Sequence, residues 1–520
     1  MSHHEILFRA VEFAYDTSPA PLFEKLDLHL PAGWTGIVGA NGAGKTTLLR
    51  LAIGELIPRQ GRVQAPPSAL YCAQRTDEPP PLLAQFLAEA EACQLRGRLG
   101  VGEDWLERWD SLSHGERKRA QLGVALWRGP QVLAVDEPTN HLDLQAKALL
   151  SGALRTFQGV GLLVSHDRQL LDELCRQCVF IDPPAAHLRP GTFTEGMAQA
   201  RLEEARAHRQ RELAREERQR LEQESRRRRE EAARSQARRS KRGLDPKDHD
   251  ARFKRNRARI SGKDGSAGKL LRQLDGRLEQ ARERLESAQV KKTYDLGIWM
   301  PGARSHRRAL FTLPAGVLPL GEGRCLCFPD LAMAPDQRVA LTGPNGGGKS
   351  TLVRRIVQSL SLPEAQVVYL PQELPLSAAR QVLDRVRALP RDQLGKLMSV
   401  VSCLGSRPQR LLDTAAPSPG EARKLLLALG IVQTPHLIVM DEPTNHLDLP
   451  SIQCLEDALA GCPCGLLLVS HDLPFLARLA RTRWQLEEHE RGEWRLQVGE
   501  MRTFSTGPAP SDRSGKSLSS

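Results

Sequence analysis

The chain has 520 residues, 74 basic and 62 acidic, for a formal net charge of +12; that length calls for more than one hydrophobic core. No apolar run approaches the ~20 residues needed to cross a bilayer, and the start, MSHHEILFRAVEF, lacks the apolar stretch of a secretory leader. The expectation is therefore a cytoplasmic protein without a membrane span, whose ten cysteines are reduced. The charge is not spread evenly. Residues 201–300 hold 30 basic and 18 acidic side chains, so the middle hundred residues carry the whole excess. Localised excess of one sign points to a polyanionic partner.

Residues 1–190 read as an α/β domain. Tyr15 is placed either to stack on a base or to fill the core. TGIVGANGAGKTTLLRLAI reads as a buried strand, a glycine loop and a helix. The loop matches GxxxxGK[ST] and offers Gly39, Asn41, Gly42, Gly44, Lys45, Thr46 and Thr47 to a phosphate chain. The glycines let backbone N–H groups wrap phosphate oxygens, the lysine reaches the β- and γ-phosphates of ATP, and the Thr46 hydroxyl suits Mg²⁺. Gln74, after the apolar segment ending in YCAQ, is a candidate for the metal or the attacking water. QVLAVDEP reads as a strand ending in Asp136, a metal-orienting carboxylate, followed by Glu137, placed to orient or deprotonate water. GVGLLVSHD reads as a further strand ending near His166, a candidate γ-phosphate contact.

Residues 191–302 read as a basic helical linker. Ala200–Ser240 is rich in Ala, Arg, Glu and Gln, with a thin stripe of Leu202, Leu213 and Leu221. KLLRQLDGRLEQARERLESAQV spaces Leu271, Leu274, Leu278, Ala281, Leu285 and Ala288 by alternating threes and fours, one stripe of a coiled coil. Two antiparallel helices are expected, with the turn in GLDPKDHD or SGKDGSAG. Near that turn, ARFKRNRARISGK has six basic residues, Arg252, Lys254, Arg255, Arg257, Arg259 and Lys263, and no acidic ones. Such a segment suits RNA phosphates.

Residues 303–498 repeat the first domain. GPNGGGKST supplies Gly343, Asn345, Gly346, Gly348, Lys349, Ser350 and Thr351; YLPQ supplies Gln372; MDEPTNHLDL supplies Asp441 and Glu442; LLVSHD supplies His471. The offsets are 304 for the lysines and 305 for the aspartates and histidines. Ser350, Asp441 and Gln372 thus join Thr46, Asp136 and Gln74 as metal candidates. Residues 499–520 are low in complexity and expected to be disordered.

LSHGE, starting at Leu112, and PSPGE, starting at Pro417, each place a serine 23 residues before the strand-end aspartate. With these, both terminal domains resemble the ATP-binding cassette ATPases, whose signature loop is LSGGQ-like. The fold implied is α/β, two P-loop ABC-type nucleotide-binding domains joined by a charged α-helical hairpin linker. The resemblance also implies that the signature of one cassette closes over the ATP of the other. Ser113 and Gly115 would then serve the Lys349 site, and Ser418 and Gly420 the Lys45 site. His114 and Pro419 replace the first signature glycine, and proline removes an N–H donor, so the sites should be unequal. The second cassette offers only Phe328 for adenine stacking.

The repeated EPTNHLD, the fused twin cassettes and the basic linker are similar to the ABC-F proteins. That resemblance implies an ATPase working as an intramolecular cassette pair, whose linker binds ribosomal RNA and tRNA. It leaves open stall relief, assembly, regulation or antibiotic protection. Two other readings stand beside it: the ATP-binding subunit of a drug exporter, and a binding module with inert cassettes. A DNA-processing ATPase would carry its coiled coil inside one cassette rather than between two.

Overall fold

A computed structural model describes residues 4–16, 20–140, 142–239, 263–287, 302–321, 323–372, 374–404, 417, 419–445, 447–490 and 492–501. Of the nucleic-acid candidates, Arg252, Lys254, Arg255, Arg257 and Arg259 lie outside the described residues, as do the expected turn GLDPKDHD, Ser418 and the tail beyond residue 501; of the other expected turn, SGKDGSAG, residues 263–268 are helical. The chain forms two compact units, one of Met1–Gly196 with Leu296–Ser520 and one of Met197–Asp295.

Within the larger unit, each cassette carries a parallel sheet of hydrophobic strands. In the first, the spatial order is Ala69–Cys72, Val132–Asp136, Val160–Val164, Gly33–Gly39 and Cys175–Asp182, with Ala185–Pro190 antiparallel at the edge. VLAVD and VGLLV are buried at every position, as central parallel strands covered on both faces must be. The second cassette repeats the order: Val367–Leu370, Leu437–Asp441, Gly465–Val469, Arg338–Thr342, Thr482–Glu490 and Glu493–Glu500. Its sheet continues into Arg324–Phe328 and Gly316–Gly321. Phe328 is buried in the second core, so it cannot stack on a base. In both cassettes the sheet order reverses at the strand that leads into the glycine loop, Gly33–Gly39 or Arg338–Thr342, and the C-terminal end of such a strand is the usual place for a ligand.

The cassettes meet through matched contacts. Asp448 caps its own helix, accepting from the Ser451 N–H at 2.9 Å, and accepts from the Asn41 N–H of the first P-loop at 2.7 Å. Asp143 does the same in reverse, accepting from Ala146 at 2.9 Å and from Asn345 at 3.3 Å. Beside them lies a contact without a counterpart. Buried Glu456 takes Arg168 of the other cassette at 2.9 Å and Arg478 of its own at 2.9 Å. The positions 305 residues away from Glu456 and Arg478 are Ser151 and Glu173, which bond to each other at 2.7 Å.

The smaller unit contains most of the helix Phe193–Arg239 and the helix Lys263–Ser287, which Lys263 opens. Leu221 packs with Leu274, Leu278 and Ala281 as one buried cluster. The ion pairs Arg229–Asp275, Arg282–Glu222 and Arg284–Glu217 run in antiparallel order. Leu202 and Leu213, expected in the stripe, are exposed. In this register the residues that would face them fall beyond Ser287, outside the described residues, so the two leucines have no described helix to pack on.

Removing one partner of a buried ion pair strands the other charge. Glu456→Ala should therefore cost roughly 3 kcal/mol and lower Tm by about 3–4 °C in calorimetry. Arg168→Ala should cost less, because Glu456 keeps Arg478. Equal or negligible shifts for the two variants would show that the pair does not hold the interface.

Candidate functional site

The P-loops form because glycine stands where only it fits. Gly44 has φ 97° and Gly348 φ 91°, in the left-handed region that other residues avoid. A Cβ on Gly44 would come within 2.9 Å of the Leu22 side chain. Helices Lys45–Ala52 and Lys349–Ser359 start directly after these glycines, aiming their N-termini into the loop. Lys45 Nζ donates to the Gly39 and Ala40 carbonyls at 3.0 and 3.1 Å. Lys349 Nζ donates to those of Gly343 and Pro344 at 2.8 and 2.9 Å. Burial lowers both lysines' pKa values, and the nearby carboxylates partly restore them.

Thr46 Oγ1 donates to Asp136 Oδ2 at 2.7 Å, and the Tyr71 hydroxyl donates to the same oxygen at 3.0 Å. In the second cassette Ser350 hydrogen-bonds Asp441. A hydroxyl and a carboxylate held together are hard oxygen donors of the kind Mg²⁺ takes. Gln372 lines the same cavity as Ser350 and Asp441. Gln74 is exposed after the strand Ala69–Cys72.

Glu137 and Glu442 are buried and both adopt positive φ, 45° and 50°. For a glutamate this is an unfavourable conformation, held by its surroundings: their N–H groups donate to the Val164 and Val469 carbonyls at 2.8 Å. Burial pushes the Glu137 carboxyl up to about 8 and that of Glu442 to about 7, against the pull of Lys45 and Lys349. His166 lies with Nε2 3.1 Å from Glu137 Oε1, and His471 with Nε2 3.6 Å from Glu442 Oε1. Burial, helped by the P-loop lysines, pushes both imidazoles down to about 3. They are neutral at pH 7, so each contact is a polar contact rather than an ion pair. His471 Nε2 also lies 3.2 Å from Asn345 Oδ1.

Tyr15 is exposed rather than in the core. Its hydroxyl is 2.8 Å from Thr47 Oγ1 and its ring stands edge-on to Phe13, which sets it beside the first P-loop.

A cavity of about 450 Å³ joins the two cassettes around Lys349. The second cassette contributes Asn345, Gly346, Gly348, Lys349, Ser350, Thr351, Gln372, Asp441, Glu442 and His471; the first contributes Thr139, Asn140, Leu142, Lys147, His166 and Asp167. Ser113 and Gly115 were expected to close this site, yet they are not among the residues lining it. The Ser113 hydroxyl is engaged in a capping box with Glu116, 2.7 Å from Oε2, and Gly115 packs on Leu142. The wall is made by the segment after Glu137 instead. Gly420 lies in the first turn of the helix Pro419–Val432.

Sequence reading missed several residues. Lys118, fully buried, donates to the Ala73 and Asp136 carbonyls at 2.6 and 3.3 Å, and burial lowers it to about 8. Arg423 donates to the Asp441 and Glu442 carbonyls at 2.9 and 2.8 Å. They lie 305 residues apart, so the repeat offset contained the signal. Tyr71 and the interface aspartates Asp143 and Asp448 were also missed. Among the described residues no cluster of His, Cys, Asp and Glu has metal-site form.

The family described as "ABC transporter" matches residues 23–140 and 329–445. The chain is similar to the tylosin resistance ATP-binding protein TlrC of Streptomyces fradiae, 30% identical and covering 88% of this chain and 93% of that one. It is similar to the ribosome protection protein VmlR of Bacillus subtilis, 27% identical over 90% of this chain and 85% of that one. The fold is that of the solved RNase-L inhibitor, with a TM-score of 0.61 at 17% identity, covering 95% of this chain and 91% of that one. No described helix is long and apolar enough to cross a membrane. Repeated P-loops, strand-end Asp-Glu pairs, twin cassettes and full-length relatives agree: the chain belongs to the ABC-F family of ATP-binding cassette proteins.

Proposed function

We propose that this protein hydrolyses ATP between its cassettes and uses the cycle to engage and release ribosomal RNA and tRNA through its basic linker, in the cytoplasm. The observation that carries this reading is the cavity built by both cassettes around Lys349: a site with walls from two domains can couple nucleotide state to their closure. Support for the ribosome comes from the name of one relative, a ribosome protection protein. The localised linker charge agrees with it. On this reading the functional domains are 1–190 and 303–498, with 191–302 as the linker and 499–520 as a tail. Arg252, Lys254, Arg255, Arg257, Arg259 and Lys263 are its RNA contacts.

The chemistry assigned to the sites is phosphoryl transfer to water. A water oxygen bonds to the γ-phosphorus, the bond to the β–γ bridging oxygen breaks, and ADP leaves with that electron pair. Glu137 and Glu442 orient the water and take its proton; a carboxyl held near pKa 7 to 8 is well matched to that task. Mg²⁺, when bound, withdraws charge from the phosphates. Thr46, Asp136 and Gln74 would hold it in one site, and Ser350, Asp441 and Gln372 in the other. His166 and His471, kept neutral, donate a hydrogen bond to the γ-phosphate without attracting a second anion. Lys45, Lys349 and the P-loop N–H groups bind the phosphates. The candidate contacts Ser113, Gly115, Ser418 and Gly420 act when the cassettes close further, and Tyr15 stacks on adenine in the Lys45 site.

A desolvated base destabilises the fold. The Glu137 pKa is raised from 4.5 to about 8, so the folded state holds a proton that the unfolded state releases. Stability from this group is full below pH ~4.5 and is lost as pH rises through about 8. Glu137→Gln, permanently neutral, should stabilise by roughly 2–4 kcal/mol at pH 8.5 and by nearly nothing at pH 4.5. Thermal unfolding at the two pH values checks this, and a gain independent of pH contradicts it.

The function is tested with the Glu137→Gln, Glu442→Gln double variant, which should bind ATP and remain closed. It should co-sediment with bacterial ribosomes in ATP and not in ADP, and lose that binding as salt rises. Absence from the pellet in both nucleotides overturns the ribosome reading and directs attention to a membrane partner.

A further inference from the structure

The repeat relates every site residue to a counterpart about 305 positions away, so any side chain that breaks the pattern inside a site marks a difference between the two sites. Lys147 is such a residue. It lies on the helix Leu144–Leu154 of the first cassette, and it lines the cavity of the other cassette's site with Lys349, Ser350, Glu442 and His471. Its counterpart, Ile452, is an apolar residue buried in the second core, with one side on this same cavity.

The lysine is held in place. Its Nζ is 2.7 Å from Asp167 Oδ2, and its side chain is only 21% exposed. Asp167 is itself fixed, because its Oδ1 caps the helix that follows, accepting from the Leu170 N–H at 3.1 Å. The ammonium is therefore anchored to the cavity wall rather than free in solvent. Its charge is felt by the groups of the opposite cassette: it favours the charged carboxylate of Glu442 and opposes protonation of His471. Both residues flank the position given to the γ-phosphate under the proposed function, on which this inference rests.

We propose that Lys147 is a second phosphate-binding ammonium of the Lys349 site, supplied by the opposite cassette and directed to the terminal phosphate. Lys147 then gives the Lys349 site a positive charge that its counterpart Ile452 cannot give in return. A cation delivered across an interface to a transferring phosphoryl group stabilises charge that ATP has and ADP lacks. The Lys349 site consequently distinguishes ATP from ADP more sharply than the Lys45 site, because the repeat-related residue of Lys147, Ile452, carries no charge to offer in return. The ion pair with Asp167 keeps the lysine at the wall until a more highly charged phosphate competes for it.

The test uses the full-length chain with Lys45→Ala, which disables the first site and leaves one site to read by calorimetry with MgATP and with MgADP. Lys147→Met in that background should weaken ATP binding at least tenfold and ADP binding less than twofold. Lys147→Arg should restore ATP binding to within about threefold. Asp167→Asn, which keeps a helix-capping side chain and frees the lysine, should leave ATP binding unchanged or tighter. If Lys147→Met weakens ATP and ADP equally, or affects neither, Lys147 is a structural partner of Asp167 and the inference falls. It falls too if Asp167→Asn reproduces the loss. If the Lys45→Ala chain binds no nucleotide at all, the assignment of the Lys349 site itself is wrong, which is a separate and earlier failure.

Discussion

Two aspartates tie the architecture to the sites. Asp143 and Asp448 each use one carboxylate oxygen to cap the helix that follows and the other to hold a backbone N–H in the opposite P-loop. A carboxylate with four acceptor positions can do both at once, which an amide or hydroxyl side chain does less well. Because the residue is fixed by its own helix, it transmits the position of one cassette to the phosphate loop of the other. The contacts are unequal, 2.7 Å on Asn41 and 3.3 Å on Asn345, and the cavity opens on the side of the longer one.

The same logic explains why a costly local structure survives twice. Glu137 and Glu442 combine positive φ, burial and a raised carboxyl pKa, each of which opposes folding. They persist because the surrounding sheets over-determine them. Fully buried parallel strands fix the backbone before and beside each glutamate, and Lys118 and Arg423 fill the space behind it with hydrogen bonds to backbone carbonyls. Stability from the core is thus spent on holding a desolvated carboxyl at the end of each central strand.

Much of this was legible in the sequence. Apolar runs ending in Asp-Glu predicted the central strands, and the glycine spacing predicted both P-loops, because parallel sheets and phosphate loops impose local patterns. What was missed acts across distance. Tyr71 reaches Asp136 from a neighbouring strand, and Lys118 and Arg423 reach back from helices that begin near the signature segments; no local spacing reveals either. The expectation that Ser113 and Gly115 line the Lys349 site came from family resemblance, whereas the Ser113 capping box with Glu116 is what this sequence encodes locally. Glu456 with Arg168 was invisible for another reason: it breaks the repeat that organised the reading.

The central claim is that nucleotide binding between the cassettes and ribosome binding by the linker are one coupled equilibrium. Thermodynamic linkage makes that claim strict: if ATP tightens ribosome binding by some factor, ribosomes must tighten ATP binding by the same factor. The direct measurement is the ATP affinity of the Glu137→Gln, Glu442→Gln chain with and without saturating ribosomes. The account predicts a matched gain of at least tenfold in both directions. An ATP affinity indifferent to ribosomes would contradict it, leaving the cassettes and the linker as neighbours in one chain rather than parts of one device.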